Sequence, residues 1–255
     1  MRIITFNVNG LRARIKAGWP SKEFLEKYDP DIICLQEVRA GADQIPATFL
    51  PGYKRYESIH LKAGYAGAWT FVKADMEQPL LATDQLTPNK CDEKGRASIL
   101  DFKHFKLINS YSPNSGSRLE KINGRNQYEA YLYAYIQNAA DFKPVILCGD
   151  LNVAPEPADC NIKVQAGVSP AERNAFFKYQ ELNMLDVWRW LHHGEPTQFT
   201  FFSNMYDARS QNKGMRLDHF CADPARVHLK ECEILHDWAA GSDHTPVMLE
   251  VYVDG

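Results

Sequence analysis

The chain has 255 residues, 45% apolar and 24% charged, with 29 basic and 32 acidic side chains and a net charge of −3. These values are those of soluble globular proteins and exclude disordered, collagen-like and coiled-coil chains. The length supplies a large core without staples and fits one or two domains at about 150 residues each.

Strand-like and helix-like segments alternate. RIITFNV (2–8) is an apolar run that ends in Asn7 and Asn9, too soon for the apolar region of a signal peptide. SKEFLEKY (21–28) reads as a helix capped by Ser21, and DIICLQE (31–37) as a strand ending in Glu37. AWTFVK (68–73), ASILDF (97–102) and KLINSYS (106–112) continue the strands, the last carrying Tyr111 with Asn114 just beyond. A helical repeat covers 119–140, and PVILCGDLN (144–152) then ends in Asp150 and Asn152. SPAERNAFFKYQEL (169–182) opens with Ser169, Pro170 and Glu172, a strong helix start. Strands are expected at 197–202, at 216–222 with Asp218, at 228–235, and at 246–253 directly after Asp243 and His244.

About ten strands with three or four helices are an α/β or α+β pattern, and with no Pro/Ser/Gly-rich linker they predict one α/β domain over 1–255, two sheets packed face to face with helices outside. The absence of a run of about 18 apolar residues predicts no membrane span. The six cysteines, Cys34, Cys91, Cys148, Cys160, Cys221 and Cys232, form no C-x-x-C pair and read as reduced thiols. Between Arg96 and Gln127, six basic residues face two acidic ones. That local excess is either a solvated face or a basic rim beside an acidic centre.

Each polar strand end has an ordinary explanation in turn chemistry. Together they do not. Glu37, Asp150, Asp218 and Asp243, with three or more amides and His244, would repel and desolvate one another at one sheet edge without a cation. Hard divalent cations take oxygen ligands, Mg²⁺ typically through one or two carboxylates plus phosphate and water. An Asp–His pair supplies an oriented base or a cationic phosphate clamp. No nucleophilic serine or cysteine motif is present, which leaves water as nucleophile. The residues themselves point to metal-assisted phosphodiester hydrolysis.

FNVNGLRA (6–13), DIICLQE (31–37), SPNSG (112–116), CGDLNVAP (148–155), GMRLDHF (214–220) and GSDHTPV (241–247) resemble, in order and spacing, the exonuclease III-type apurinic/apyrimidinic endonucleases of the endonuclease/exonuclease/phosphatase superfamily. GYAG (64–67), GR (95–96), AGVSPAER (166–173) and DARSQNKGMRLD (207–218) narrow the resemblance to that branch, and it spans 2–253. The chain starts at the catalytic motif, so the N-terminal extension of some eukaryotic relatives is not expected.

The resemblance implies a four-layered α/β sandwich and a Mg²⁺-dependent (or Mn²⁺-dependent) endonuclease of base excision repair. Such an enzyme cuts 5′ to an abasic site and also has 3′–5′ exonuclease and 3′-phosphodiesterase activity. It implies metal ligation around Glu37, with Asn9, Asp150, Asn152, Asp243 and His244 in the metal and phosphate cluster. Asp150 would activate water with Asn152 orienting it, and Asp218 would orient His244 toward the phosphate. Tyr111, Asn7 and Asn114 would hold phosphate or the leaving group. Tyr65, Arg96, Arg118, Arg209 and Lys213 would grip the strand, and Phe201, Met215 and Leu217 would wall the pocket for an abasic sugar.

Three departures bear on DNA grip: Met215 where many relatives have Trp, a shortened segment from Cys160 to Gln165, and Arg118 one residue out of place. The implied partner is duplex DNA with abasic sites or blocked 3′ ends. A monomer is expected, intracellular and soluble, in cytoplasm or nucleoid or in a nucleus. The alternatives are a catalytically inactive nucleic-acid-binding regulator on the same fold and a related phosphatase.

Overall fold

A computed structural model describes residues 1–87, 95–204 and 207–253. In chain order these form β1 (Arg2–Asn7), α1 (Leu11–Lys16), α2 (Lys22–Tyr28), β2 (Ile32–Gln36), β3 (Tyr53–Ser58), β4 (Ala68–Lys73), β5 (Leu81–Thr83), β6 (Ala97–Asp101) and β7 (Lys106–Tyr111). They continue with α3 (Ile122–Ala140), β8 (Val145–Asp150), α4 (Pro170–Phe177), β9 (Leu185–Asp186), α5 (Val187–Leu191), β10 (Asp218–Ala222), β11 (His228–Ile234) and β12 (Val247–Tyr252).

The strands make two six-stranded sheets, ordered β11-β12-β1-β2-β4-β3 and β5-β6-β7-β8-β10-β9. Each sheet has one parallel pair near its centre, β1 with β2 and β7 with β8; the remaining pairs are antiparallel. A parallel pair needs a crossover, and α1–α2 and α3 are those crossovers.

Alternation along the strands sorts their side chains into layers. Ile3 of β1 and Ile146 and Cys148 of β8 belong to the cluster between the sheets. Ile4 and Phe6 pack outward with Leu11, Phe24 and Tyr28 of α1 and α2. Val145 and Leu147 pack outward with Tyr128, Leu132 and Ile136 of α3 and Phe176 of α4. The result is helix, sheet, sheet, helix: the expected four-layered sandwich.

One polar bolt crosses the apolar middle. The Gln36 amide donates to Asn109 Oδ1 at 2.7 Å and to Thr5 Oγ1 at 2.9 Å, and Asn109 donates to the Trp69 carbonyl at 3.0 Å. All of these side chains are buried, where paired polar groups fix one alignment of the sheets.

The expected strand at 197–202 is not a strand. Its only β contacts among the described residues are isolated bridges of Phe201 with Met215 and with His244. Its amides instead serve two loops: Thr200 and Phe201 donate to the Met215 carbonyl, and Phe202 donates to the Asp243 carbonyl. The strand expected at 216–222 begins only at Asp218. The third helix starts at Pro170, as its cap signals, and tightens to a 3₁₀ turn from Lys178 to Leu182. Strands β3, β5 and β9 and helices α1 and α5 are additional.

Cys34, Cys148, Cys160, Cys221 and Cys232 are free thiols, and Cys91 lies outside the described residues. Among the described residues no helix is long and apolar enough to cross a membrane.

Candidate active site

The ends of β1, β2 and β8 are tied by one amide. Asn7, fully buried at the end of β1, donates to Asp150 Oδ2 at 2.8 Å and to Glu37 Oε1 at 3.0 Å. Two carboxylates from different sheets thereby share one donor. Tyr111 borders the same cavity as Glu37, and the Arg39 guanidinium pairs with the other Glu37 oxygen. Asn9, Glu37 and Asn152 have φ of 43°, 49° and 48°, in the left-handed region. Asparagine tolerates that region; for Glu37 it is strain of the kind that collects at functional sites.

On the other side of Asp150 lies a histidine–aspartate pair. Asp218 Oδ2 sits 2.8 Å from His244 Nδ1, and His244 Nε2 lies 3.8 Å from Asp150 Oδ2. The His244 ring packs on Phe201 at 5.1 Å, and its backbone amide donates to Ser242 Oγ, whose hydroxyl donates to the Asn7 carbonyl. Burial alone would lower the His244 pKa, but Asp218 and Asp150 outweigh it and raise it to about 10. The imidazole is therefore a cation at neutral pH.

Asp150 is pushed up to about 7, first by burial and then by Asp218 and Glu37, against the opposing pull of His244 and the Asn7 amide. Burial first, and then Glu37 and Asp150, hold the Tyr111 phenol well above its ordinary value, so it stays a neutral donor.

Amides complete the frame. The Asn152 backbone donates to Asp150 Oδ1 at 2.9 Å, its side chain donates to the Ser112 carbonyl, and it accepts from Asn114 at 3.0 Å. Asn9 donates to Asp243 Oδ1 at 2.9 Å.

These groups open into a cavity of about 430 Å³. Glu37, Asp150, Asp243 and His244 line its polar side, and Phe201, Met215 and Leu217 its apolar wall. Met215 and Leu217 pack with Ala154 and are almost fully buried.

Asp150, Asp218 and His244 offer ligand atoms within 4.8 Å of one another, a cluster that can hold a metal ion. The donor chemistry fits a hard cation. Asp150 is destabilised as an anion by its carboxylate neighbours, and buried Asp218 Oδ1 has no hydrogen bond. Since Asp218 Oδ2 is committed to His244 Nδ1, Asp150 with Glu37, which share the Asn7 amide, is the better-disposed carboxylate pair for the ion.

The strand-gripping residues divide. Arg96, 7% exposed, donates to the Tyr65 hydroxyl at 2.8 Å and to the Tyr111 carbonyl, and stacks on Tyr111. With Lys121 and Gln127, Arg96 and Tyr65 line a groove of about 460 Å³ that shares Tyr111 and Asn114 with the cavity. Arg118 and Lys213 are exposed and line neither space.

Arg209 departs from the expectation of a strand grip. It turns inward, donating to Thr245 Oγ1 and to the carbonyls of Ser242 and His244 while stacking on Phe202. Its donors fasten the 242–245 loop. Of the basic excess around 96–127, Arg96 and Arg125 are buried and Lys106 pairs with Asp101. Lys103, Arg118 and Lys121 remain at the surface.

Several lining residues carry no strong sequence signal. Lys163, Val164, Gln165 and Gly167 form a lip of the cavity. Arg12, Lys16 and Arg39 line a further groove of about 480 Å³ beside Asn9 and Gly10. The basic residues that follow the NGL and QE turns were the available clue.

Residues 4–244 match the Endonuclease/Exonuclease/phosphatase family. The chain is 34% identical over 257 residues to the DNA repair nuclease APEX1 of Danio rerio, covering 98% of this chain and 81% of that one. It is 34% identical over 258 residues to an exodeoxyribonuclease of Bacillus subtilis, covering 99% of this chain and all of the other. Among solved structures, the AP endonuclease of Leishmania major superposes with a TM-score of 0.87 at 26% identity, over all of this chain and 88% of that one.

Proposed function

The chain belongs to the endonuclease/exonuclease/phosphatase family, in its exonuclease III-type branch, and from that premise we propose that it is a phosphodiester hydrolase of DNA repair. Its substrate in this proposal is duplex DNA, cut 5′ to an abasic site, with trimming of blocked 3′ ends as a second activity. One observation carries the proposal. The His244 cation, held from behind by Asp218, the Asp150 carboxylate and the apolar wall of Phe201, Met215 and Leu217 face one cavity.

The chemistry follows from the side chains. Asp218 holds the imidazole through Nδ1 and keeps it charged, which leaves Nε2 to donate to a phosphate oxygen. Asp150, with a pKa of about 7, is matched to accept a proton from water near neutrality. Asn152 fixes the Asp150 carboxylate through its backbone amide. Tyr111, Asn7 and Asn114 offer neutral donors to phosphate or leaving oxygen.

Glu37 and Asp150, with Asn9, Asn152 and Asp243 around them, would hold Mg²⁺ or Mn²⁺, while the His244 cation beside them would face the phosphate. When bound, that ion supplies positive charge against the phosphate oxygens. The apolar wall accepts a sugar that has lost its base, the nucleotide that costs least to extrude from the stack. Tyr65, Arg96, Arg118 and Lys213 and the lip lysine Lys163 contact the backbone and supply affinity without reading sequence. The protein acts as a monomer inside the cell.

A duplex with one abasic site tests the proposal. The purified protein should cut it in Mg²⁺ and not in excess chelator, and cut the undamaged duplex far more slowly. No metal-dependent cleavage of the abasic strand would favour the binding-protein alternative.

A further inference from the structure

Glu172 sits in the sequence as the closing residue of a helix cap, yet its carboxylate does more than cap α4. It is 1% exposed and accepts five hydrogen bonds from four donors. Ser169 supplies its backbone amide at 3.0 Å, the ordinary capping contact, and in addition its hydroxyl at 2.6 Å. The Gly167 amide donates to both carboxylate oxygens, at 3.0 and 2.9 Å. The fourth donor is remote: Ser115 Oγ, itself fully buried, at 2.6 Å from Oε1.

Those two outer donors belong to two chain segments, distant in sequence, that both line the cavity wall. Asn114 and Ser117 flank Ser115 in one segment, and Gln165, Ala166 and Gly167 form the other. The Arg125 guanidinium holds the Pro113 carbonyl at 2.9 Å and the Asn152 carbonyl at 3.1 Å from behind. Gly167 has φ +79°, and a Cβ on it would lie 3.0 Å from Met215 Cε and 3.3 Å from the Asn152 carbonyl.

We propose that Glu172 is a positioning residue that straps the Asn114–Ser117 segment to the Gln165–Gly167 segment and so fixes the aperture through which the sugar enters. The inference rests on the function proposed above and deepens it. An aperture held by an anion with four donors stays narrow enough to admit a baseless sugar and to turn away an intact nucleotide.

Two single-hydroxyl deletions separate the strap from the cap. Ser115→Ala removes the contact to the far segment and leaves the helix cap whole. Ser169→Ala removes the capping hydroxyl, a local donor to Glu172, and leaves both the Ser115 and the Gly167 contacts of the strap in place. The readout is the ratio of abasic-site cleavage to release of normal 3′ nucleotides, with thermal melting alongside.

Ser115→Ala should lower that ratio roughly fivefold to tenfold, the loss expected for the net worth of one intramolecular hydrogen bond. Ser169→Ala should lower the melting temperature and leave the ratio within about twofold, a change too small for a lost aperture. Should Ser115→Ala prove unstable, Glu172→Gln gives the same ratio test, since its amide cannot accept from Gly167, Ser169 and Ser115 together. An unchanged ratio in folded Ser115→Ala or Glu172→Gln, or equal shifts in Ser115→Ala and Ser169→Ala, overturns the strap. A wild-type protein that cuts neither substrate overturns the function instead.

Discussion

His244 Nε2 lies 3.8 Å from Asp150 Oδ2, too far for a hydrogen bond and close enough for their charges to couple. The imidazole is therefore held on one side only, by Asp218 at 2.8 Å, and presents its other nitrogen beside the carboxylate that borders the cavity. Both groups border the same cavity, so a phosphate oxygen can be received at Nε2 and a water at the carboxylate from the cavity side.

Asp218→Asn removes the anion that does most to raise the His244 pKa. The mutant imidazole should then titrate nearer 6.5, so its rate should fall as pH rises through that value, while the wild-type imidazole stays charged to about pH 10. At pH 8 the loss in kcat should be about 10²–10⁴-fold, the usual worth of a positioned acid or base. DNA affinity should change little. A pH–rate profile under single-turnover conditions checks both points.

Asp150→Asn should abolish turnover and spare the fold. The wild-type carboxyl is raised to about 7 against an ordinary 3.8. The shift makes it a stabilising group only below about pH 4, with that contribution lost as pH rises through 7. Removing the charge should therefore leave the melting temperature of the metal-free protein at pH 8 unchanged or higher. The rise in melting temperature on adding Mg²⁺ should shrink, and it should shrink likewise in Glu37→Ala. A full Mg²⁺-induced rise in both variants would place the ion elsewhere.

Much of this site was legible in the sequence because it is built from strand ends. Asp150 and Asn152 close an apolar run, Glu37 closes another, and Asp243 and His244 open a third. A chemistry that needs several oxygens at one sheet edge leaves that trace. What escaped depends on partners distant in the chain. Ser169 and Glu172 are visible as a cap, but nothing local shows that Glu172 reaches Ser115, 57 residues away. Arg209 has the charge of a backbone grip, and only the fold shows its donors turned onto 242–245. The 197–202 segment has the composition of a strand, yet its amides bond to loops. Strands β5 and β9, of three and two residues, are too short to show a period.

Arg216 lies between two wall residues and points the opposite way, into a buried ion cluster. It pairs bidentately with Asp159 at 2.9 Å and with Asp186 at 2.7 Å. Burial would push Asp186 up, but Arg216 and His219 hold it far below the ordinary carboxylate range. Its folded value lies below its unfolded one, so the stability it contributes is present above about pH 4 and is lost as pH falls. Arg216→Ala should cost about 3–5 kcal/mol at pH 7, the cost of stranding buried charge. Melting curves from pH 3 to 7 should show the wild type losing stability below pH 4 and the variant already low at pH 7.

Met215 is 4% exposed, and its Cε lies against Gly167. A tryptophan there would overpack the wall, so the informative change is Met215→Ala. A wider wall should weaken selection for the baseless sugar by about 1–3 kcal/mol, the range for apolar contacts in a specificity pocket. Abasic cleavage and 3′-nucleotide release, compared in wild type and variant, report it. An unchanged ratio with the fold preserved removes Met215 from the pocket.

DNA affinity should fall steeply with salt despite the net charge of −3, because local phosphate contacts release counterions. Lys213→Ala should reduce the slope of log affinity against log salt by about one. Arg209→Ala should leave the slope unchanged and lower stability, since its guanidinium serves the 242–245 loop.

The most direct measurement of the central claim is the chemistry of the cut end. A duplex with one abasic site, incubated with the wild-type protein and Mg²⁺, should yield a 3′-hydroxyl that a polymerase extends and a 5′ fragment end bearing the baseless sugar phosphate. A cut on the 3′ side of the sugar, or one that proceeds in chelator, would contradict hydrolysis by the Asp150–His244 site.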